Sequence, residues 1–246
     1  MQIMDPLKNL SIVLVKTKTP GNIGAVARCM MNMGLSRLLL VRPPSDHADD
    51  ARKLAAGAEV VLETAEVHPT LQDAVSGHGL VIGASRHTAK QRKNVRTPRE
   101  MAASVLPALA KNRVALVFGR EVNGLEREDL ALCHELVWIP SSRSFPSLNL
   151  SHAVMVLAYE LFISQTSAAL PGGTELAPAD ELEKFYQHLQ RTLLEIDFLD
   201  DTNRERMMVS LRQLFGRSRM DRRDLSILRG ILSQMGKRLN SHLENT

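Results

Sequence analysis

The 246-residue sequence has few of the features that identify disulfide-rich, zinc-binding or membrane proteins. Its two cysteines, Cys29 and Cys133, have no C-x-x-C spacing and no neighbouring histidine cluster, so we expect neither a disulfide framework nor a metal site. No apolar run approaches the roughly 18 residues that a membrane-spanning helix needs, and the N-terminal hydrophobic stretch is too short for a signal peptide. The sequence therefore predicts a cytoplasmic protein that does not contact a membrane.

Glycine-rich nucleotide-binding motifs and aromatic residues are also scarce. No G-x-G-x-x-G follows an apolar run and no G-x-x-x-x-G-K-[ST] occurs, which argues against a P-loop and against an ordinary Rossmann domain, including the ordinary Rossmann-type methyltransferase. Six Phe, two Tyr and one Trp are too few for a protein that binds nucleic acid mainly by base stacking. The eight histidines are scattered, so a histidine-based catalytic triad is not predicted.

Apolar runs and helical patterns alternate through the N-terminal part of the chain. The composition, with 44% hydrophobic and 24% charged residues, suits a globular protein with a sizeable core. Continuous apolar runs, which suit strands buried on both faces of a parallel sheet, occupy residues 12–15, 38–41, 60–62, 80–83, 114–118 and 136–139. Helices are predicted at residues 22–34, 46–57, 98–111, 126–133 and 150–164. The predicted fold class is α/β, with a parallel sheet and helices on both of its faces.

A change of composition near residue 165 divides the chain. Residues 165–179 are rich in Ser, Ala, Thr, Pro and Gly and contain the helix-breaking sequence Pro-Gly-Gly. Beyond them, helical patterns recur near residues 179–196, 203–217 and 221–239. We therefore predict a first domain at residues 1–165, a linker at 166–178 and a small all-helical appendage at 179–246. An appendage of this size would depend on docking or on a partner for part of its order.

Three polar loops are predicted to follow strands of the sheet. The first contains Asn22 and opens a helix, where free backbone N–H groups and the helix dipole favour an anion. In the second, Gly119 allows a ligand to lie against the backbone and Glu121 offers a hydrogen-bond acceptor. The third is rich in serine and contains Ser147 and Asn149. Because ligands of α/β proteins bind beyond the carboxyl ends of strands, the three loops could converge on one pocket.

Each of these loops also has a simpler explanation. The glycines could serve only the geometry of strand-to-helix turns, and Ser147 or Asn149 could cap the helix that follows. Arg28 falls in an otherwise apolar helical segment and requires a specific partner, which could equally be a structural salt bridge. What these explanations do not account for is the recurrence of three such loops at the carboxyl ends of strands in one sheet.

Positive charge is concentrated in two segments. Residues 86–99 carry six Lys or Arg and no acidic residue, and residues 204–238 carry ten against three acidic residues, although the net charge of the whole chain is only +4. Solvated helix faces would explain either segment, but the excess in the small appendage is more than solubility requires. We therefore expect the C-terminal cations to attract a polyphosphate chain such as a nucleic acid.

The three loops, in this order and spacing, resemble the motifs of the SPOUT (SpoU–TrmD) methyltransferases, and more closely those of the SpoU branch, which methylates ribose 2′-hydroxyls. Residues 22–28 are similar to motif 1, residues 116–125 to motif 2 and residues 147–151 to motif 3, and the match spans about residues 10–164. The helical tail, at residues 214–219 and 225–232, resembles that of the TrmJ-type tRNA (cytidine/uridine-2′-O)-methyltransferases, which act at position 32 of the anticodon loop.

This resemblance implies a trefoil-knotted sheet that binds S-adenosylmethionine, without a metal, in a homodimer whose active sites lie at the subunit interface and act on tRNA. The cofactor would be surrounded by Ala84, Ser85, Arg86, Gly119, Ile139, Pro146, Ser147 and Leu148. The catalytic residues would be Asn22, Arg28, Glu121, Ser147 and Asn149. An rRNA 2′-O-methyltransferase and a non-catalytic RNA-binding protein of the same fold are the alternatives, and the presence of Arg28 and of the Ser147-Leu148-Asn149 sequence argues against the second.

Overall fold

A computed structural model describes residues 6–85, 95–167 and 174–243 of the chain, and in this part seven parallel strands form one sheet. The strands are β1 (Leu10–Val15), β2 (Arg37–Val41), β3 (Glu66–His68), β4 (Leu80–Ser85), β5 (Val95–Arg96), β6 (Val114–Phe118) and β7 (Glu135–Trp138). Their order across the sheet is β3-β2-β1-β6-β4-β7-β5. The central strands β1, β6, β4 and β7 therefore end side by side at one edge.

Helices connect the strands and then continue alone to the C-terminus. Those of the sheet region are α1 (Pro20–Asn32), α2 (His47–Ala55), α3 (Glu59–Glu63), α4 (Leu71–Val75), α5 (Pro98–Leu109), α6 (Arg127–Ala131) and α7 (Leu150–Ser167). Those of the C-terminal part are α8 (Ala179–Glu195), α9 (Arg204–Gly216) and α10 (Arg222–Leu243). Within the described residues, none of these helices is long and apolar enough to cross a bilayer.

The strands are buried on both faces, as their continuous apolar runs predict. On β1, Ile12 and Leu14 pack into one hydrophobic cluster with α1, α5 and α7, whereas Val13 and Val15 pack into a second cluster with α4 and α6. This arrangement confirms the predicted α/β class, with a parallel sheet between two layers of helices. The trefoil knot of the predicted fold remains a prediction that rests on the resemblance to the SPOUT methyltransferases.

One predicted strand is wrong, because residues 60–62 form the middle of helix α3. The run Val-Val-Leu is apolar, but only Val61 is buried, while Val60 is half exposed and Glu59 lies in the first turn. One buried position in a turn of helix suits packing on a neighbouring helix better than burial in a sheet. The short elements β3, β5 and α4 were not predicted, since each is too brief to show a hydrophobic period.

The segment that precedes α8 packs against the sheet region. Asn112 accepts a hydrogen bond from Leu176 N at 2.6 Å and donates to Thr174 O at 2.8 Å. Leu176 is buried in the same hydrophobic cluster as α1, α5 and α7. At the other side of the predicted linker, α7 continues to Ser167, so both ends of residues 166–178 have defined structure.

The three C-terminal helices have a hydrophobic core of their own and dock on the sheet. Phe185 lies with its ring centroid 5.3 Å from those of both Tyr186 and Phe215. At the docking surface, Ala179 N donates to His78 O at 2.9 Å, and a Cβ added to Gly216 would lie 3.2 Å from His134 O. The C-terminal helices therefore pack so closely against the sheet region that backbone atoms of the two parts are in contact.

We expect His134→Asn to reduce the pH dependence of stability between pH 7 and pH 5. Burial lowers the pKa of His134 to about 4, and its Nδ1 accepts a hydrogen bond from Val81 N at 3.1 Å, which only the neutral ring can do. The unfolded state, with a pKa of about 6.5, then binds more protons than the native state, so stability falls as the pH falls through this window. The loss attributable to His134 between pH 7 and pH 5 is about 2 kcal/mol.

Denaturant unfolding of the parent and the variant at both pH values measures this difference. The asparagine side chain keeps an acceptor near the position of Nδ1 but does not titrate. Equal losses of stability in the two proteins would contradict a role for His134 in the acid sensitivity.

Candidate active site

A cleft of about 620 Å³ opens at the carboxyl ends of β4, β6 and β7. The residues that line it are Ala84, Ser85, Phe118, Gly119, Arg120, Glu121, Gly124, Val137, Ile139, Pro146, Ser147, Leu148, Leu150 and Ala153. Its lining is mostly apolar with a few polar groups, which is the usual composition of a small-molecule site. Two of the three loops picked out in the sequence, the second and the third, therefore line this one cleft.

The structure brings together most of the residues predicted to surround a cofactor. Seven of the eight line the cleft, and the eighth, Arg86, lies outside the described residues. Sequence reasoning missed the apolar members Phe118, Val137, Leu150 and Ala153. Apolar residues at strand ends or in the first turn of a helix look like ordinary core positions, and the only available signal was that each is close to a predicted loop.

A chain of hydrogen bonds joins the three loops beside the cleft. Glu121 Oε1 accepts a bond from Asn22 Nδ2 at 3.0 Å, and Asn22 Oδ1 accepts one from Asn149 Nδ2 at 3.1 Å. Asn149 Oδ1 in turn accepts from Ser151 N at 2.9 Å and from Ser151 Oγ at 2.8 Å. Motif 2, motif 1 and motif 3 are thus connected in that order by side chains distant in sequence.

Glu121 also holds the backbone that leads into α1. Its carboxylate accepts hydrogen bonds from Lys18 N and Thr19 N, both at 3.1 Å. Partial burial raises the pKa of Glu121, but the hydrogen bonds from Asn22 and from backbone N–H groups outweigh it and leave the pKa below its ordinary value. The group is therefore a carboxylate at neutral pH, placed where the positive end of the α1 dipole further stabilises a negative charge.

Asn149 both caps a helix and belongs to the hydrogen-bonded chain beside the cleft, which are the two roles that the sequence left open. It precedes α7, and its side chain accepts from the backbone of Ser151, which is the pattern of a helix cap. The same side chain donates to Asn22 and so also belongs to the polar chain. Ser147, by contrast, is not the cap; it lines the cleft together with Pro146 and Leu148.

Gly119 is required by the loop itself rather than only by a ligand. A Cβ at this position would collide with the backbone of Gly124 and Leu125, because Arg120 and Gly124 pair across a tight turn. Gly124 has a φ of +67°, which favours glycine. The turn is fixed at its far end by Glu126, whose carboxylate binds both Arg120 and Lys16.

Arg28 is the one predicted catalytic residue that the structure does not place in the network or the cleft lining. Its side chain is exposed on α1, which rises by about 9 Å between Asn22 and Arg28. Among the described residues it forms no ion pair, so the structure gives no support to a structural salt bridge. The exposed guanidinium is available to a ligand or to another chain.

Two further expectations, on a metal site and on the basic segment 86–99, can be compared with the described residues only. Within residues 6–85, 95–167 and 174–243, no group of three His, Cys, Asp or Glu side chains could hold a metal ion. Most of the basic segment 86–99 lies outside those ranges, and only Arg96 and Arg99 of its cations are described. Arg96 binds a buried carboxylate, that of Glu135, at 2.8 Å.

Comparison with known proteins agrees with this geometry. Residues 9–159 match the SpoU rRNA Methylase family, and residues 180–244 match the C-terminal domain of the tRNA methyltransferase TrmJ. The chain belongs to the SpoU methylase family. Its similarity extends over nearly the full length of tRNA 2′-O-methyltransferases of the TrmJ type. This agrees with the resemblance that we found in the sequence of the helical tail.

Two such relatives illustrate the extent of the match. The chain is 44% identical to the tRNA (cytidine/uridine/adenosine-2′-O-)-methyltransferase TrmJ of Pseudomonas aeruginosa, over 94% of this chain and 95% of that one. It is 41% identical to the tRNA (cytidine/uridine-2′-O-)-methyltransferase TrmJ of Pectobacterium atrosepticum, over 94% of this chain and 98% of that one. Both the sheet domain and the helical tail are therefore shared with these proteins.

Solved structures show the same fold. TrmJ from Z. mobilis ZM4 superposes with a TM-score of 0.79 at 31% identity, covering 92% of this chain and 98% of that one. A probable methylase family protein from Haemophilus influenzae Rd KW20 gives a TM-score of 0.62 at 34% identity, covering 96% and 99%. The SpoU methyltransferase AviRb from Streptomyces viridochromogenes, solved in complex with AdoMet, shares the fold of the sheet domain with a TM-score of 0.51 at 19% identity, covering 64% and 61%.

We expect Gly119→Ala to weaken the binding of S-adenosylmethionine at least tenfold, as measured by calorimetry. The added Cβ collides with backbone atoms that cannot move away without opening the 120–124 turn, and this turn lines the cleft. Gly77→Ala is the matched control, since a Cβ there meets nothing within 4 Å. Unchanged cofactor affinity in the Gly119 variant would mean that the cofactor binds elsewhere.

Proposed function

We propose that this chain is an S-adenosylmethionine-dependent tRNA ribose 2′-O-methyltransferase that works as a homodimer in the cytoplasm and modifies position 32 of the anticodon loop. The observation that carries the proposal is the hydrogen-bonded chain Glu121–Asn22–Asn149, which joins three loops around one cleft. Membership of the SpoU family and a C-terminal domain of the TrmJ kind support the substrate class.

The residues of the cleft fit a methyl-donor cofactor. Ile139, Leu148 and Val137 offer apolar surface for a flat ring system, and the loop backbones around Gly119 and Ser147 offer polar groups at its rim. Glu121 contributes a carboxylate to the lining of the same cleft, where it would compensate a positive charge on the ligand. When bound, S-adenosylmethionine supplies an electrophilic methyl group whose leaving group is a neutral thioether.

The residues of this chain have to align the ribose oxygen and assist its loss of a proton. Asn22 and Asn149 are held in fixed orientations by Glu121 and Ser151, and so present preorganised amide groups beside the cleft. Arg28 is a permanent cation and has no acceptor capacity, so it does not act as a base. We assign to it the orientation of the neighbouring phosphate and the lowering of the hydroxyl pKa.

A homodimer would give Arg28, which does not line the cleft of its own chain, a place at the active site of the partner subunit. Met31 on α1 and Tyr159 and Phe162 on α7 are 48%, 50% and 40% exposed, although α1 and α7 pack against each other. Large apolar side chains clustered on adjacent helices mark an interaction surface. Arg28 and Met31 are three residues apart and share a face of α1, so Arg28 would lie in the same interface.

The cations of the C-terminal domain divide into two groups. Arg212 binds Glu183 through two nitrogens at 2.7 and 2.8 Å, and Arg222 pairs with Glu181 at 3.2 Å. These two stabilise the domain rather than bind a ligand. Within residues 204–238, the cations that face outward and form no ion pair with described residues are Arg206, Arg217, Arg223, Arg229 and Lys237. We propose that this outward group binds the tRNA backbone.

The direct test is incubation of the purified protein with labelled S-adenosylmethionine and separated tRNA and rRNA, followed by mapping of the methylated nucleotide. Methylation of a tRNA ribose supports the proposal, and mapping decides the position and the accepted nucleobases. Methylation of rRNA alone would favour the alternative of an rRNA 2′-O-methyltransferase. No transfer to either RNA by a protein that binds the cofactor would refute the enzymatic proposal.

We expect Arg28→Ala to abolish methyl transfer while leaving cofactor affinity within a few-fold and stability within about 0.5 kcal/mol, since the side chain is exposed and unpaired with any described acid. Single-turnover rates, calorimetry and denaturant unfolding measure the three quantities. Arg52→Ala removes another exposed arginine, on the neighbouring helix α2, and serves as the control. Retained turnover would remove Arg28 from the reaction, and a loss of folding would restore its structural explanation.

We expect Phe162→Arg to convert the dimer into a monomer, because it introduces a charge among the exposed apolar side chains of α1 and α7. Light scattering coupled to size exclusion measures the mass. Phe198→Arg, at a phenylalanine of the C-terminal domain that is 49% exposed, is the control and should leave the dimer intact. A monomeric parent protein would contradict the proposed assembly.

A further inference from the structure

Arg219, between α9 and α10, uses all three guanidinium nitrogens to bind the sheet domain. Its Nε donates to Glu135 Oε1 at 2.9 Å, and its NH2 lies 2.8 Å from the same oxygen in an ion pair. NH1 donates to Ser104 O at 2.8 Å and NH2 to Ser104 Oγ at 2.7 Å. A guanidinium engaged in this way has no free edge for a phosphate, although its sequence context is that of the basic tail.

The acceptor of these bonds is a carboxylate shared between two arginines. Glu135 begins β7, and its side chain is only 4% exposed. Its other oxygen, Oε2, accepts from Arg96 Nε of β5 at 2.8 Å. Removing one partner from a buried ionic group leaves an uncompensated charge, so each member depends on the others. We call Arg96, Glu135, Arg219 and Ser104 the Glu135 cluster.

The Glu135 cluster lies on the strand that leads to the cleft. Val137 and Ile139, further along the same stretch of chain, line the cleft, so the C-terminal domain is attached to the element that shapes the site. Two observations indicate that this attachment is tightly specified. Arg219 has a φ of 47°, a region that residues other than glycine rarely adopt, and its neighbour Met220 accepts a hydrogen bond from Ala177 N at 2.9 Å.

We propose that Arg219 is a positioning residue for the RNA substrate, which through Glu135 and Ser104 holds the C-terminal domain in one place relative to the cleft. RNA that is bound by the outward cations, such as Arg206, Arg223 and Arg229, would then present its target ribose to the cleft. This proposal rests on the proposed function, because it requires RNA to bind both the tail and the cleft. It assigns Arg219 to geometry and not to phosphate binding.

The test compares Arg219→Gln with Arg223→Gln in the full-length protein. We expect Arg219→Gln to lower kcat on tRNA at least tenfold, while the Kd for tRNA and the Kd for S-adenosylmethionine stay within threefold. The slope of log affinity for tRNA against log salt should not change, because no phosphate contact is lost. Arg223→Gln should instead lower that slope by roughly 0.7 to 0.9.

Two companion variants connect the effect to the cluster. Arg219→Lys, which can bind Glu135 but cannot also reach Ser104 in a forked geometry, should rescue kcat in part. Ser104→Ala removes one contact without changing any charge and should lower kcat several-fold, which keeps the proposal testable if Arg219→Gln does not fold. In a double-mutant cycle, Glu135→Gln should add little to Arg219→Gln, since both act through one contact.

The outcomes separate this proposal from the proposed function. A parent protein that does not methylate tRNA would refute the function itself. A parent that does, together with an Arg219→Gln variant that keeps its kcat, would refute positioning by Arg219. A reduced salt slope in Arg219→Gln, equal to that of Arg223→Gln, would overturn it in favour of direct phosphate binding.

Discussion

The Glu121 carboxylate organises the site, because it is the acceptor to which the otherwise separate loop ends converge. Three donors from the β1–α1 connection point at it, and it follows β6 at the centre of the sheet. Without it, two backbone N–H groups at the start of α1 and the Asn22 amide would need other acceptors, and the link from Asn22 to Asn149 would lose its fixed end. The cleft depends on this contact for its shape, since the same loop supplies Gly119, Arg120 and Gly124 to its wall.

Much of the sheet could be predicted because its strands are buried on both faces. The runs at residues 12–15 of β1 and 114–118 of β6 are continuously apolar and buried at every position, as expected for strands covered on both faces. The run at 60–62 shows the limit, since three apolar residues fit a strand or one side of a short helix equally well. The edge elements β3 and β5 have neither the length nor the burial to show a pattern.

The residues that belong to the site could be predicted from the sequence, but the hydrogen bonds between them could not. Asn22, Glu121 and Asn149 stood out as polar residues at strand ends, yet nothing in their spacing says which of them touch. The same holds for the basic tail, where a count of charges treats all ten cations alike. Arg212 forms an ion pair with Glu183, and Arg219 forms one with Glu135. Because these acids are far from the arginines in sequence, the structural arginines can be told from the outward-facing ones only in the folded protein.

The polar chain beside the cleft has a direction. A carboxylate can only accept, so Glu121 compels Asn22 to present its amino group, which leaves the Asn22 oxygen for the amino group of Asn149 and the Asn149 oxygen for Ser151. Each amide could be turned over at almost no cost if it stood alone, but here a flip at either position would set two donors or two acceptors face to face. The negative charge of Glu121 therefore fixes the orientation of two neutral amide groups, those of Asn22 and Asn149. Its effect reaches from the end of β6 to the first turn of α7.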